Sequence, residues 1–301
     1  MTWELTLTGL LIGTLVGLTG MGGGSLLTPI LVILFGYSPT VAIGSDIAHG
    51  AIFKTVSAIQ HRRLGNVRAR LAGWMFLGSA PMSLVGVWLA DELDSRYGDS
   101  AQSVMAQILG GALLFGCVGL LAKTVIQARA VGDVRWSLST RDRVAAVLIG
   151  LFGGFVVGLT SVGSGVFFGL TLLVLFPLRA HKVVGTDIFH AAALLYVAGL
   201  GHFLAGNVSL SVVGWLLLGS IPGALLGGHL AVSVPERPLR IVLALVLGLA
   251  GLKLVKVPGA ALIIVVALAA GMVVLLVWLG RRTWVRVQRA RNGRLAAEES
   301  G

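Results

Sequence analysis

Apolar runs long enough to cross a lipid bilayer recur along this chain. Val104 to Leu121 and Ala260 to Leu279 are two examples. A helix needs about 20 predominantly apolar residues to cross the hydrocarbon core of a membrane. Of the 301 residues, 56% are hydrophobic and only 12% are charged, whereas about 25% of the residues in soluble domains are charged. These features predict an all-α polytopic membrane protein that forms a single membrane domain.

Eleven apolar segments can be marked along the sequence. The second and the seventh have only about 13 residues, which corresponds to about 20 Å of helix, less than the hydrocarbon core of about 30 Å. We interpret these two segments as broken helices or half-helices. The predicted segments cover residues 4–20, 24–36, 40–60, 71–90, 103–127, 142–160, 164–177, 182–204, 209–231, 238–256 and 258–280.

The distribution of lysine and arginine predicts how the segments are oriented. With the N-terminus outside and every segment crossing, 19 of the 23 basic residues, Lys123 among them, fall in inside loops and the C-terminal tail. Three fall outside, and Lys54 lies within the membrane. Basic residues concentrate on the cytoplasmic side of membrane proteins, so we expect a cytoplasmic C-terminus. The net charge of +11 is then explained by topology, and no nucleic-acid partner is expected.

Several short motifs occur twice at a fixed spacing of 141 residues. Chance agreement at this density, without a gap, is improbable. The matched pairs are Gly17-Leu18-Thr19 with Gly158-Leu159-Thr160, Gly65-Asn66-Val67 with Gly206-Asn207-Val208, Gly73-Trp74 with Gly214-Trp215, Gly78-Ser79 with Gly219-Ser220, and Pro81 with Pro222.

The spacing predicts two copies of a five-segment unit. Repeat 1 covers 4–127 and repeat 2 covers 142–256, followed by one extra transmembrane helix at 258–280 and a basic cytoplasmic tail at 281–301. Because five is odd, the copies enter the membrane from opposite sides. Inverted repeats are typical of secondary transporters, whose substrate site lies between the copies. The alternative is a duplicated helix bundle that does not transport anything.

One repeated motif places a carboxylate and an imidazole inside an apolar segment. It occurs as Gly44-Ser45-Asp46-Ile47-Ala48-His49 and as Gly185-Thr186-Asp187-Ile188-Phe189-His190. An aspartate and a histidine three residues apart share one face of a helix. Ionisable residues within a membrane are costly, about 2.5–3.5 kcal/mol each on insertion scales, and therefore suggest function.

Two roles are open for the first half of this motif and three for the histidine. The carboxylates could carry protons coupled to transport, or the hydroxyl and carboxylate residues could cap a helix that restarts after the glycine. The histidines could relay protons, donate to a bound anion, or bond a backbone carbonyl. The coupling or helix-capping candidates are Ser45, Asp46, Thr186 and Asp187.

Glycine-rich turns precede both short segments. Such a turn at the start of a helix exposes backbone N–H groups, and the helix dipole adds partial positive charge, so an anion is favoured there. The alternative is that the glycines permit close helix packing. Lys54, with Leu195 at its repeat position, could pair with a carboxylate or bind the anion. The substrate-binding candidates are Gly22, Gly23, Gly24, Ser25, Gly163, Ser164, Gly165, His49, His190 and Lys54.

Together these residues resemble the sulfite exporter TauE/SafE family of membrane transporters. The motifs that carry the resemblance are Gly20-Met21-Gly22-Gly23-Gly24 with Pro29, the repeated Gly-Ser/Thr-Asp-Ile-x-His, His61 with Gly65-Asn66-Val67, His202 with Gly206-Asn207-Val208, and the Gly-Ser-x-Pro segments at 78–81 and 219–222. The resemblance implies a bacterial inner-membrane permease for small sulfur-containing anions, organosulfonates and related carboxylates. The turn Ser161-Val162-Gly163-Ser164-Gly165 departs from the pattern, being less rich in glycine.

The sequence therefore predicts a secondary transporter that moves a small anion, such as sulfite, thiosulfate or an organosulfonate, by alternating access, with proton coupling as one mode. The main alternative is a divalent-metal transporter that uses two carboxylates and two imidazoles as ligands. An intramembrane protease with Asp46 and Asp187 as its dyad lacks the Gly-x-Gly-Asp tandem, and a passive channel is a further alternative. We expect no enzymatic activity and no cofactor. The expected partners are the anion and the lipid bilayer, with a homodimer as a candidate assembly.

Overall fold

The structure is a computed structural model that describes residues 2–19, 24–97, 99–127, 136–230 and 236–260. In these ranges the chain forms α-helices and no strand. The predicted helix at 258–280 and the tail at 281–301 lie outside the described residues, except for 258–260. The helices are α1 (Thr2–Thr19), α2 (Gly24–Ile33), α3 (Pro39–Arg63), α4 (Ala69–Tyr97), α5 (Asp99–Gln127), α6 (Thr140–Thr160), α7 (Phe167–Leu175), α8 (Ala180–Leu204), α9 (Leu210–Leu230) and α10 (Glu236–Leu254).

The lengths of these helices agree with a multi-pass membrane protein. Five described helices are long and apolar enough to cross a membrane: Ala69–Arg96, Ser100–Ile126, Thr140–Thr160, Ala180–Leu204 and Leu210–Gly227. The helices α2 and α7 have 10 and 9 residues, or about 15 and 14 Å at 1.5 Å per residue. The prediction of two short helices is therefore confirmed.

The long helices α3 and α8 occupy the same place in the two copies and end in the same way. Each has 25 residues, and a glycine with positive φ follows each, Gly65 at 70° and Gly206 at 78°. The next N–H reaches back five residues, from Asn66 to the carbonyl of His61 (3.0 Å) and from Asn207 to that of His202 (2.9 Å). This is the Schellman ending, in which glycine is favoured because it adopts positive φ without strain.

Each copy packs mainly against the other. The extensive helix pairs are α1 with α9, α4 with α6, α3 with α8, and α5 with α10. Glycines spaced four residues apart on α6 lie against the backbone of α4, and a Cβ at Gly154 would lie 2.2 Å from the carbonyl oxygen of Ser79. Gly13 of α1 faces Ser220 of α9 in the same way. Close packing is therefore the role of these glycines.

One prediction about α3 and α8 is wrong. Both helices run without interruption through Gly44 and Gly185, so no helix restarts there. The physical reason for glycine is a close approach between the copies. A Cβ at Gly44 would lie 2.2 Å from the carbonyl oxygen of Asn207, and one at Gly185 would lie 2.6 Å from that of Asn66.

The opposite membrane orientation of the two copies stays a prediction from the sequence, and single cysteines can test it. In a Cys117→Ser background, Leu64→Cys follows α3 and Leu204→Cys ends α8; both leucines are largely exposed. Because inverted copies place these sites on opposite faces, we expect a membrane-impermeant maleimide to label Leu204→Cys in right-side-out vesicles. Leu64→Cys should react only in inverted vesicles. Labelling of both cysteines from one face would contradict the inversion.

Candidate functional site

A cluster of buried polar and charged side chains lies around the crossing of α3 and α8. All of its members are at most 5% exposed, which places them in a medium where an uncompensated charge is costly. They are Thr28, Ser45, Asp46, His49, Lys54, Lys123, Ser161, Ser164, Thr186, Asp187 and His190. The structure thus brings together the predicted site residues whose side chains it describes.

The hydroxyl groups of Ser45 and Thr186 bind the backbone of the opposite copy. Ser45 Oγ accepts the N–H of Ser209 (3.0 Å), just before α9, and Thr186 Oγ1 accepts the N–H of Arg68 (3.0 Å), just before α4. The four residues form two pairs related by the 141-residue spacing. Free N–H groups at a helix start need such acceptors. These hydroxyls therefore cap helices, but helices of the other copy.

The two histidines also make equivalent contacts across the copies. His49 Nε2 and Ser220 Oγ lie 2.8 Å apart, as do His190 Nε2 and Ser79 Oγ. Both serines belong to the repeated Gly-Ser-x-Pro segments, which explains why these segments accompany the Asp-x-x-His motif. The Nδ1 atom of His190 is buried and has no hydrogen-bond partner in the part of the chain that the structure describes. This nitrogen can therefore exchange a proton or contact a ligand without breaking the serine contact.

The carboxylate of Asp46 is held by hydroxyl groups. Its Oδ2 atom accepts from Thr28 Oγ1 and from Ser161 Oγ, the latter at 2.9 Å. Ser161 ends α6 in a left-handed conformation, with φ of 61°. The Oδ1 atom is buried and has no partner among the described residues. Half of this carboxylate therefore retains hydrogen-bonding capacity.

The equivalent carboxylate, Asp187, faces an ammonium group instead. The position of Thr28 is occupied by Gly169 in the second copy. A Cβ at Gly169 would lie 2.3 Å from Lys123 Nζ and 3.1 Å from Asp187 Oδ2. Lys123 and Lys54 both act electrostatically on Asp187. The missing side chain at Gly169 thus makes room for the ammonium group that compensates Asp187.

Lys54 lies between the two carboxylates. Its Nζ donates to Ser164 Oγ (2.7 Å) and to the Ser164 carbonyl (3.1 Å), and it interacts electrostatically with both Asp187 and Asp46. Because the hydrogen bonds of Lys54 go to Ser164, pairing with a carboxylate, one of the two predicted roles, stays a prediction. Because Leu195 takes this position in the second copy, the cluster is asymmetric.

The glycine-rich turn before α7 uses its carbonyls in this structure. The Ser164 carbonyl binds Lys54, and the Gly165 carbonyl accepts from Lys123 Nζ (3.1 Å). The helix begins at Phe167, three residues later than the predicted segment, because Gly163 and Gly165 adopt φ of 123° and 131°, which a helix does not allow. The carbonyls of the turn therefore hold the ammonium groups of Lys54 and Lys123 in place.

The corresponding turn of the first copy is only partly described. Gly22 and Gly23 lie outside the described residues. Gly24 and Ser25 form the first turn of α2. Their proposed contact with substrate stays a prediction.

The main residue that sequence reasoning missed is Lys123. It was assigned to an inside loop, which is wrong: it lies within α5 and is 2% exposed. The available signal was the difference between the copies at one position, Thr28 in the first and Gly169 in the second. Asp187 therefore lacks the hydroxyl group that Asp46 has and needs another hydrogen-bond donor. Ser161, which marks the end of α6, carried no comparable signal.

A small cavity adjoins the first carboxylate. It has a volume of about 10 Å³ and is lined in part by Asp46, His49 and Lys54, with apolar residues of α1 and α2 on the other side. This is space for about one water molecule. A four-atom oxyanion does not fit there until the surrounding helices move.

The compensation of Asp187 can be tested by restoring the arrangement of the first copy. Lys123→Met should lower stability, because removing one partner of a buried charge pair costs about 3–5 kcal/mol. Adding Gly169→Thr supplies a hydroxyl group as at Thr28, so the double variant should regain part of the loss. The measurement is thermal unfolding of the purified protein in detergent. The control is Lys253→Met on the exposed face of α10, and a double variant no more stable than Lys123→Met would contradict the assignment.

Comparison with known proteins places the chain in a family of membrane transporters. The sulfite exporter TauE/SafE family matches residues 5–254. The probable membrane transporter protein YjnA of Bacillus subtilis is 35% identical over 257 residues, which cover 85% of this chain and 100% of that protein. YdhB of the same organism is 25% identical, covering 81% and 96%, and MJ0441 of Methanocaldococcus jannaschii is 23% identical, covering 82% and 93%; both are also named probable membrane transporters. No solved structure matches the chain. The chain therefore belongs to the sulfite exporter TauE/SafE family of membrane transporters.

Proposed function

We propose that this protein moves a small anion, such as sulfite, thiosulfate or an organosulfonate, across a bacterial inner membrane by alternating access. The observation that carries the proposal is the pair of buried ammonium groups, Lys54 and Lys123, held between the two copies. Each donates to a carbonyl of one turn, so the two cations are oriented toward the same region. Lysine binds oxyanions as a point charge.

Charge balance suggests how binding and proton uptake are linked. The cluster contains two carboxylates and two lysines, and a buried site is least costly near zero net charge. A monovalent anion adds one negative charge, which uptake of one proton by Asp46 or Asp187 offsets. That proton also releases a lysine from its carboxylate. This favours co-transport of one proton with each monovalent anion.

The contacts between the copies link binding of the anion and the proton to a movement of the helices. The pairs formed by His49 with Ser220 and by His190 with Ser79 join opposite copies near the charged cluster. Rocking of one repeat against the other changes these contacts first. Because the cavity beside Asp46 holds only about one water molecule, the anion reaches this place only after such a motion.

The divalent-metal alternative receives less support. Among the described residues, no three or more His, Cys, Asp or Glu side chains gather as a metal site. Both Asp46 and His49 are already bonded to hydroxyl groups. Lys54 and Lys123 stand among the carboxylates and repel a divalent cation electrostatically. The anion proposal therefore explains more of the cluster.

Transport can be measured in proteoliposomes that contain the purified protein. We expect saturable uptake of sulfite, thiosulfate or methanesulfonate, and a loss of at least about tenfold in Lys54→Met, because one charged contact is worth about 1.5–3 kcal/mol. The matched control is Arg63→Met, an exposed cation at the end of the same helix. The double variant Lys123→Met/Gly169→Thr separates transport from folding, since it should be more stable than Lys123→Met but should not transport. Uptake of a divalent metal without uptake of any anion would overturn the proposal.

Proton coupling is tested with methanesulfonate, which stays monovalent across the accessible pH range. An inward proton gradient should accelerate uptake in the wild type, and collapsing the gradient should remove the acceleration. Asp46→Asn and Asp187→Asn each remove one proton-binding group. The variant that lacks the coupled carboxylate should still move the anion from one side to the other, but its rate should no longer depend on the proton gradient. Uptake without saturation, unchanged when the gradient is collapsed, would indicate a channel.

A further inference from the structure

A basic cleft opens where α4 and α6 begin. Its volume is about 720 Å³, far larger than the space beside Asp46. Residues 67–71 and Trp74 form one wall, and residues 136–138 with Arg143 form the other. Because α4 and α6 pack against each other, the two walls lie at and just before the starts of a packed pair of helices.

Three arginines give this cleft its charge. Arg68, Arg70 and Arg143 all line it. The Nε atom of Arg68 is buried and has no hydrogen-bond partner within the described ranges. The guanidinium of Arg143 lies over the ring of Trp74, 5.7 Å from its centre. The cleft therefore offers N–H groups that can donate hydrogen bonds to a bound oxyanion.

The neighbouring carboxylate does not neutralise this cluster. Asp142 lies in the first turn of α6 and accepts the N–H (2.9 Å) and the hydroxyl (2.7 Å) of Ser139, which completes a capping box. Its oxygens thus satisfy the start of α6. The first turns of α4 and α6 add the partial positive charge of two helix N-termini. The balance remains strongly positive.

The second copy shows that packing does not require these arginines. At the 141-residue spacing, Arg68 and Arg70 correspond to Ser209 and Ser211, whereas Trp74 corresponds to Trp215. The helix start and its cap by the opposite copy are kept in both places. The predicted cytoplasmic side accounts for basic residues at this end of the helices, and because the shared fold is built without these arginines in the other copy, packing leaves them available to a ligand.

We propose that this cleft binds the phosphate headgroup of an anionic phospholipid. Guanidinium groups bind phosphate oxygens bidentately, and tryptophan is enriched at the level of the headgroups. Basic pockets between transmembrane helices are typical sites for such lipids. The volume accommodates a phosphoglycerol group together with the start of its acyl chains. Sulfite would leave most of it empty.

The bound lipid would also stabilise the contact between the copies. The backbone N–H of Arg68, on one wall of the cleft, is held by Thr186, the residue next to Asp187. A headgroup on the side chain of Arg68 fixes this segment in place. The inference does not depend on the transported substrate, because binding is measured without transport.

Native mass spectrometry and thermal unfolding of the full-length protein in detergent test the inference. We expect phosphatidylglycerol to bind roughly tenfold or more tightly than phosphatidylcholine with the same chains, since charged hydrogen bonds distinguish them, and to raise the unfolding temperature. The variant Arg68→Gln/Arg70→Gln/Arg143→Gln should lose this preference. The control Arg62→Gln/Arg63→Gln/Arg141→Gln removes equal charge from exposed positions outside the cleft and should retain it.

Three outcomes would overturn the inference. Inorganic phosphate that stabilises the protein as well as phosphatidylglycerol does, at equal concentration, would indicate a site for a soluble oxyanion. If both triple variants lost the preference for phosphatidylglycerol equally, the lipid would be held by nonspecific attraction to the positive surface. If the triple cleft variant does not fold, Arg143→Gln alone changes one exposed side chain, and an unaltered lipid preference in it would also contradict the proposal.

Discussion

Compensation of charge in a medium without water is the constraint on which this structure depends. Asp46 and Asp187 lie at equivalent positions of two copies, yet each is balanced differently. Hydroxyl groups hold the first, and the ammonium group of Lys123 lies beside the second, in the space left by Gly169. Lys54 interacts with both. The cost of an unpaired buried charge makes each of these neighbours necessary to the others.

The repeated motifs are understood only in pairs, because each one contacts its complement in the other copy. Gly44 admits the loop that carries Asn207, Ser45 caps the helix that follows this loop, and His49 bonds Ser220 farther along that helix. The same contacts recur 141 residues later. Neither copy therefore satisfies its polar groups alone. A motion of one copy against the other must exchange these contacts for others of similar energy.

Positions at which the two copies differ indicate which residues serve function and which serve the packing of the helices. Symmetric residues hold helices together, and the duplicated glycine, serine and histidine contacts fall in this class. The aspartates are matched as well, whereas positive charges stand at unmatched positions: Lys54 against Leu195, and Arg68 against Ser209. A symmetric fold does not require these charges. Their placement supports two distinct roles, an anion site between the copies and a lipid site at one face, for a member of a transporter family whose relatives are named without a substrate.

The sequence by itself determined the helical membrane class and the two short helices, because apolar length acts over a few residues, and it predicted the duplicated unit. It also indicated Asp46, His49 and Lys54, since charge within an apolar run is conspicuous. Only the tertiary structure decided the partners. The capping bonds between the copies join residues up to 164 positions apart, and the contact of His49 with Ser220 joins residues 171 positions apart. Local pattern contains no information about such pairs, nor about the burial of Lys123. The continuity of α3 through Gly44 follows for the same reason, because the close approach of another chain segment, not a local break, required that glycine.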